Sequence, residues 1–282
     1  SRRMVGSAVR GDLPAAAWSG ARFNRRTSWT FAGTKIAFRA SPSGTCRFGI
    51  FPVGLRSRGH PHHRRNGRDG LLLAGEGIGT RIQPVETFEY PHSIGFLWEL
   101  FTGYLGFSYY DASKVMGLAA YGNPEVFRQQ FLSILRADEV NYGVAHEFLG
   151  GHPDRFARME AMFGPPRDAD SEILPRHADM AAALQAATDA AVAALVRRVK
   201  RRVPFDNLCL AGGVALNCVT NELVRRSGEF SNVFIPSAPH DAGTAIGAAF
   251  AVHCANQKRS PQRGNSTPYL GPAFERRDIL EA

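Results

Sequence analysis

The stretch that decides the fold is residues 206–250, which read DNLCLAGGVALNCVTNELVRRSGEFSNVFIPSAPHDAGTAIGAAF. Residues 208–210 form a short apolar run that stops at Gly212 and Gly213, a pattern typical of a buried strand followed by a turn. The residues after the glycines repeat at helical spacing, so the strand is predicted to lead into a helix that begins at Val214. A turn without side chains lets a ligand approach the backbone, and the first N–H groups of such a helix attract phosphate or an adenylate.

The same pattern recurs further along this stretch. The apolar run 233–235 leads to the turn 236–240, and Asp241 stands at the start of the small-residue helix predicted by AGTAIGAAF. In the simplest interpretation Asp241 only caps that helix. The alternative is that Asp241 contacts a ligand, because ligands of open α/β sheets lie at the carboxyl ends of the strands. The sequence therefore predicts a glycine turn and an aspartate turn at one edge of one sheet.

Four blocks in chain order carry a resemblance to a known family: YPHSIGFLWELFTGYLGF, KVMGLAAYG, CLAGGVALN and PHDAGTAIGAA. Through them, residues 75–274 resemble the O-carbamoyltransferases of nodulation-factor and antibiotic biosynthesis. The resemblance implies an α/β fold of the actin-like, sugar-kinase-like (ribonuclease-H-like) type. It also implies transfer of a carbamoyl group from carbamoyl-adenylate, made from carbamoyl phosphate and ATP, to a hydroxyl of a sugar or secondary metabolite.

The resemblance also assigns roles to side chains. Gly212, Gly213 and Asn217 are expected to bind the nucleotide, with Asn217 bonding a ribose hydroxyl or the carbamoyl group unless its role is structural. Lys114 opens the block KVMGLAAYG and is expected to neutralise charge in the nucleotide cleft, the alternative being a solvated lysine at the start of a helix. Asp241 is expected to be a ligand of a divalent metal, for which iron is favoured.

Residues 1–70 depart from the pattern of the rest of the chain. They contain 14 Lys and Arg against 2 Asp and Glu, whereas the remainder contains 20 against 23, so all of the net charge of +9 belongs to this segment. No strand or helix period lasts for long, and the segment is predicted to be irregular. Three interpretations are open: a disordered basic arm, an unfamiliar domain, or translation out of frame.

We favour translation out of frame. Read one base later with common codons, residues 41–47 give HHLAHA and residues 60–69 give ILTIDGMGET, two blocks that the resembling family carries at this distance. In that family the two histidines of HHLAH join the aspartate of the second turn as apparent iron ligands, but this chain has Ser41 and Thr45 at the histidine positions. A family histidine thought to act as the base also has no match. The metal site is therefore expected to be incomplete, the catalytic residue stays unassigned, and the chain as written is expected to show no carbamoyl transfer.

The predicted organisation has three parts. Residues 1–70 form the basic segment, residues 71–255 the carbamoyltransferase domain, and residues 256–282 a linker with the start of a carboxyl-terminal domain that makes carbamoyl-adenylate. An Ala-rich helix is predicted over residues 179–200, and one of its faces is expected to be buried: Met180, Leu184, Ala187, Ala191 and Leu195. Leu216, Val219 and Leu223 are expected to form the core face of the helix that follows the glycine turn.

Composition sets the remaining expectations. The chain is 44% hydrophobic and 21% charged, which is typical of globular proteins. The sequence shows no uninterrupted apolar run of membrane-spanning length, and its four cysteines lack metal or redox spacing, so a cytoplasmic location is expected. The expected partners are carbamoyl-adenylate and a small-molecule acceptor, without nucleic acid or membrane, and the oligomeric state is left open. A kinase of the same fold and a nucleotide-binding pseudoenzyme remain alternatives.

Overall fold

The computed structural model describes residues 47–53, 70–78, 81–89, 91–149, 154–203, 205–257 and 271–280. The strands in these ranges are β1 (Arg47–Val53), β2 (Gly70–Ile78), β3 (Arg81–Glu89), β4 (Leu135–Ala137), β5 (Tyr142–Val144), β6 (Asn207–Gly212) and β7 (Asn232–Phe234). The helices are α1 (Ile94–Tyr104), α2 (Ala112–Ala119), α3 (Arg128–Ile134), α4 (His146–Leu149), α5 (Arg155–Phe163), α6 (Pro175–Arg202), α7 (Cys218–Arg226), α8 (Thr244–Gln257) and α9 (Arg276–Leu280). Short 3₁₀ turns cover Pro124–Phe127, Gly213–Leu216 and Asp241–Gly243.

A mixed sheet with the strand order β3-β2-β1-β6-β7 organises the molecule. β1, β2 and β3 pair antiparallel as a meander, whereas β6 pairs parallel with β1 on one side and with β7 on the other. Parallel neighbours need a crossover, which helices supply. β6 and β7 therefore end at the same edge of the sheet, as the sequence pattern requires.

Helix α6 lies at the centre of the described core. Pro175 is its first residue, where a missing N–H breaks no helical bond. The face predicted from the sequence is buried along its length: Met180, Leu184, Ala187, Ala191 and Leu195. The hydroxyl of Thr188 accepts a hydrogen bond of 2.8 Å from Trp98 Nε1 of α1, and this bond holds the two helices together inside the core.

The length and composition of α6 would also suit a membrane span, which the sequence analysis did not expect. The helix has 28 residues, and 72% of its most apolar window is buried inside the protein. A core helix of a globular domain passes the same test of length and composition. The burial of α6 among α2, α3, α7, β4 and β5 indicates a core helix.

The part of the core around α1 is built from aromatic rings. Phe101 of α1 is fully buried, and its ring centre lies 4.7 Å from that of Phe131 of α3 and 5.2 Å from that of Phe163 of α5. Aromatic rings in tilted and edge-on arrangements at these distances attract each other, which stabilises the core in addition to the burial of apolar area. The apolar helix α1 thus forms one side of the core.

The structure confirms most of the predicted elements and corrects one point in the sheet. The strand expected before the glycine turn is β6, and β2 and β3 pair antiparallel after residue 70. The expectation of an irregular segment over residues 1–70 is wrong for residues 47–53, because β1 forms the third strand of the sheet. Its sequence RFGIFPV is too short and too rich in glycine and proline to show a strand period, so its partners β2 and β6 determine its conformation. Residues 1–46 and 54–69, with Ser41 and Thr45, lie outside the described residues.

Candidate functional site

The two predicted turns meet at the edge where β6 and β7 end. β6 ends at Gly212, and the chain leaving β7 passes through residues 235–240 before the 3₁₀ turn Asp241–Gly243. The N–H of Gly212 donates a hydrogen bond of 2.6 Å to the carbonyl oxygen of Pro239. The first corner (residues 212–216) and the second corner (residues 238–243) are therefore in direct contact.

The first corner exposes backbone to solvent. Gly212 has a φ of 106°, a region in which any residue with a Cβ is strained. Gly213 is exposed, and a Cβ added to it would meet no atom within 4 Å. A ligand group can therefore reach the backbone at Gly213 without displacing a side chain.

The helix after the first corner does not begin where the sequence predicted. A 3₁₀ turn covers Gly213–Leu216, and α7 begins at Cys218 instead of Val214. The reason is Asn217, whose extended backbone and side-chain oxygen form the N-cap. The helix N–H groups consequently point at Asn217 and not at the glycines, and the expected phosphate cradle at the glycine turn is not formed by this helix.

This later start also changes which face of α7 is buried. Leu216 and Val219, predicted to face the core, are 53% and 47% exposed. Thr220 and Val224 are buried instead, at 2% exposure each. Asn217, Thr220 and Val224 lie three and four residues apart on one side of α7, and the bonds of Asn217 and Thr220 to Gln185 of α6 turn this side toward the core.

The second corner is tightly built around a glycine. The N–H of Gly243 donates to the carbonyl of His240 at 3.0 Å, and a Cβ on Gly243 would lie 2.1 Å from the carbonyl oxygen of Ala238. Asp241 is an exposed residue at the first position of this turn. Asp241 therefore lies at the surface in the second corner, at the turn where the sequence pattern placed it, and its metal role stays a prediction.

Asn217 is buried, and its side chain makes hydrogen bonds inside the protein. Its Oδ1 accepts from the N–H of Thr220 at 3.0 Å, and its Nδ2 donates to Oε1 of Gln185 at 2.8 Å. Only 7% of the residue is exposed. These contacts give Asn217 the structural role considered as the alternative, and its predicted bond to a ribose or carbamoyl group stays a prediction.

Lys114 and His92 have local partners elsewhere. The ammonium of Lys114 lies 3.1 Å from the carboxylate of Asp111, and the lysine side chain is 60% exposed at the start of α2. Nδ1 of His92 accepts from the N–H of Val144 at 3.1 Å, which fixes the proton of the neutral ring on Nε2. The contacts of these two side chains are surface and packing contacts, and the nucleotide role of Lys114 stays a prediction.

Sequence reasoning missed two polar side chains beneath the first corner. Gln185 and Asp189 lie one turn apart on α6 and contact the start of α7: Nε2 of Gln185 donates to Oδ1 of Asp189 and to the hydroxyl of Thr220, each at 2.9 Å. The Thr220 hydroxyl donates to Asp189 Oδ1 at 2.6 Å. The available signal was the pairing of Gln and Asp at i, i+4 in an otherwise Ala-rich helix.

The described residues do not make up a metal site. No group of three or more His, Cys, Asp or Glu side chains in the described part of the chain is arranged to hold a metal ion. A divalent transition metal takes several such ligands, so Asp241 alone is not enough. The two positions that the resemblance assigns to histidine lie outside the described ranges.

Comparison with known proteins identifies the family to which this chain belongs. A family model described as "Carbamoyltransferase N-terminus" matches residues 73–250, which include both corners. The chain belongs to this carbamoyltransferase N-terminal family, as the four blocks predicted. It is similar to the uncharacterized protein sll1178 of Synechocystis, with 36% identity over 214 residues, or 72% of this chain and 35% of that protein.

Two nodulation proteins show the same relationship. Nodulation protein NolNO of Sinorhizobium fredii and nodulation protein NolO of Bradyrhizobium diazoefficiens are each 34% identical to this chain over 206 residues, or 72% of the chain. The chain covers 29% and 36% of their lengths, respectively. It therefore spans about a third of the length of the curated relatives that it matches.

Proposed function

We propose that this chain belongs to the transfer domain of an O-carbamoyltransferase. In the intact enzyme that domain moves a carbamoyl group from carbamoyl-adenylate to a hydroxyl of a sugar or secondary metabolite, and the chain as written is expected to show no transfer. The carbamoyl-adenylate would be made from carbamoyl phosphate and ATP. The observation that carries the proposal is the hydrogen bond from Gly212 N–H to the Pro239 carbonyl, because it joins the two corners within the family-matched region. The site is thus the sheet edge where Gly213 exposes backbone beside Asp241.

The proposed fold is the actin-like, ribonuclease-H-like type. Support comes from the sheet, in which an antiparallel β1–β2–β3 meander continues through β1 into the parallel strands β6 and β7. In open sheets of this kind, ligands bind beyond the carboxyl ends of the parallel strands. Both corners lie at that edge, so the fold and the proposed site agree.

The proposed reaction is an acyl-type transfer. The acceptor oxygen forms a bond to the carbamoyl carbon, the bond from that carbon to the phosphate oxygen breaks, and AMP leaves. The hydroxyl proton passes to a base outside the two corners. Backbone N–H groups aimed at an oxygen that gains charge stabilise such a transition state, and the first corner offers exposed backbone at Gly213.

A binding experiment tests the site directly. Gly213→Val adds a branched side chain where the backbone is open, and the Cβ position has free space, so the fold should persist. We expect calorimetry with a non-hydrolysable carbamoyl-adenylate analogue to show a loss of affinity of at least about tenfold, or about 1.4 kcal/mol. Gly271→Val, where an added Cβ also meets no atom within 4 Å, is the matched control and should bind like the wild type. Equal affinity for both variants would contradict the proposal.

A further inference from the structure

A histidine side chain caps the start of helix α6. The N–H of Leu174, the residue before the helix, donates a hydrogen bond of 2.9 Å to Nδ1 of His177. The N–H of His177 in turn donates one of 2.9 Å to the carbonyl oxygen of Leu174. At the third position of a helix, glutamate or glutamine usually makes the bond back to the residue before the helix. His177 therefore fills this capping position with a side chain that can take up a proton near neutral pH.

Only the neutral ring of His177 can make this bond. Because Nδ1 accepts a hydrogen bond, the proton of the neutral ring lies on Nε2, whereas both nitrogens are donors in the charged ring. Nε2 is buried and has no hydrogen-bond partner among the described residues. A proton on Nδ1 would face the N–H of Leu174, and two donors cannot bond each other. Protonation of the ring therefore breaks the bond between Leu174 and His177.

The surroundings of the ring also oppose a positive charge. His177 is only 3% exposed. The charged side chains that act on its ring are both cations: Arg176, its neighbour in α6, and Arg167, in the segment between α5 and α6. Burial lowers the pKa of His177 below its ordinary value, and the charges of Arg176 and Arg167 lower it further.

Two acidic side chains of this region have other partners. Asp179, two residues further along α6, accepts from the N–H of Asn123 at 2.7 Å. Glu160 of α5 acts on Tyr104 of α1. Neither carboxylate acts on the ring of His177, so neither offsets the charge of a protonated ring.

The residues that the Leu174–His177 bond holds in place are exposed. Residues 172–174 lie at the surface, between the segment of Arg167 and the first turn of α6. Arg167 donates to the carbonyls of Leu105 and Ser171, and its guanidinium stays charged at every pH at which the protein is folded. The part of the segment before residue 172 is thus held by a group that does not titrate, and the part after it depends on His177.

We propose that His177 is a pH-sensitive latch, in which the neutral ring holds residues 172–174 against the start of α6 and protonation of the ring releases them. The released form takes up a proton more readily than the closed form. The closed form is therefore fully stable above about pH 6.5, the ordinary pKa of histidine, and it loses stability as the pH falls below that value. The latch is a property of this fold and does not depend on the proposed function.

Hydrogen exchange of the Leu174 amide, followed by NMR in the full chain, tests the latch. Exchange rates are corrected for the intrinsic effect of pH. In the wild type, the protection of this amide should fall about three- to tenfold between about pH 7.5 and about pH 5.5, since about tenfold is the limit for one histidine of ordinary pKa about 6.5 in the released form. His177→Gln keeps an acceptor that does not titrate, so protection should change by less than about twofold. His146→Gln removes an exposed histidine at the start of α4 and should behave like the wild type.

Val144 supplies an internal control, because its N–H donates to Nδ1 of a different histidine, His92. The response of the Val144 amide to pH should be the same in the wild type and in His177→Gln. A Leu174 amide whose protection does not fall in the wild type, or falls equally in His177→Gln, would overturn the latch.

If the glutamine variant does not fold, titration of the His177 ring by NMR in the wild type decides the question. A ring that titrates below the ordinary pKa of about 6.5, together with a shift of the Leu174 amide over the same pH range, supports the latch. A ring that titrates at or above that value, or without any effect on Leu174, overturns it.

Discussion

Single side chains determine the structure of the first corner and of the helix start that follows it. The sequence identified Gly212, Gly213 and Asp241 as corner residues, because glycines that stop an apolar run and an aspartate before a helix are typical of turns. It gave Asn217 a ligand role with a structural role as the alternative, and the structure shows a buried cap bonded to Gln185. That contact joins residues 32 positions apart in the chain, and no local pattern records it. Cap residues are therefore predictable as a type, while their tertiary partners are not.

Replacing Asn217 by alanine should destabilise the protein. The variant loses the cap on Thr220 N–H and leaves Oε1 of the buried Gln185 without its donor, so we expect a loss of about 1–2 kcal/mol in the free energy of unfolding. Urea unfolding measures this loss, and the m-value should stay unchanged. Asn232→Ala removes an exposed amide that bonds Asn207 and should change stability by less than about 0.5 kcal/mol. Equal effects of the two changes would show that the hydrogen bonds of Asn217 add no stability.

Arg167 is a second buried side chain with an unusual set of partners. It is 8% exposed, it donates to the carbonyls of Leu105 at 2.7 Å and Gly106 at 3.3 Å, and it lies over the ring of Phe107 at 5.0 Å. Arg167→Lys keeps the charge, but a lysine ammonium cannot reproduce the hydrogen bonds of the planar guanidinium. We therefore expect the free energy of unfolding to fall by about 2–3 kcal/mol. Arg128→Lys, at an arginine whose side chain is 60% exposed, is the control. Equal melting temperatures for the two variants would refute this role.

At the scale of elements, strong periodicity predicted α6 and its buried face, and strand and turn signals predicted β6 and β7. The start of α7 and strand β1 were not predicted from the sequence, for different physical reasons. The start of α7 depends on one capping side chain, which shifted it by four residues from Val214 to Cys218. β1 has little strand pattern of its own and is defined by hydrogen bonds to β2 and β6.

The contact between the segment after α2 and α6 depends on a glycine. A Cβ on Gly122 would lie 2.0 Å from the carbonyl oxygen of Ala178. Gly122→Ala must therefore push the two segments apart, and it should lower the free energy of unfolding by about 1–3 kcal/mol. Gly117 lies in the exposed part of α2, where a Cβ meets nothing within 4 Å. Gly117→Ala should therefore stabilise the protein by about 0.5–1 kcal/mol through helix propensity. Chemical denaturation of both variants measures the change in the free energy of unfolding, which should be negative for Gly122→Ala and positive for Gly117→Ala. A change of the same sign in both variants would contradict this packing.

At the scale of the whole molecule, the family and the architecture of the sheet edge were accessible from the sequence. The family match covers residues 73–250, and the four blocks had placed the resemblance over residues 75–274. The amino-terminal quarter was not accessible in the same way. Its arginine-rich composition carries no fold pattern, and only residues 47–53 of it are among those that the structure describes before Gly70.

The coding DNA tests the hypothesis of translation out of frame. We predict that the codons for residues 41–69, read one base later, encode a histidine block of the type HHLAHA followed by a block of the type LTIDG. The physical consequence would be a second set of metal ligands and a glycine-rich acidic turn facing the two corners. Codons that cannot yield the histidine block in one constant frame would leave the basic segment as a true part of this protein.

The central claim is that the two corners bind one ligand between them, and hydrogen–deuterium exchange with a carbamoyl-adenylate analogue tests it most directly. The account predicts that saturating ligand slows exchange in both segments, 212–216 and 238–243, and that Gly213→Val abolishes both effects together. Protection confined to one corner, or located away from both, would contradict it.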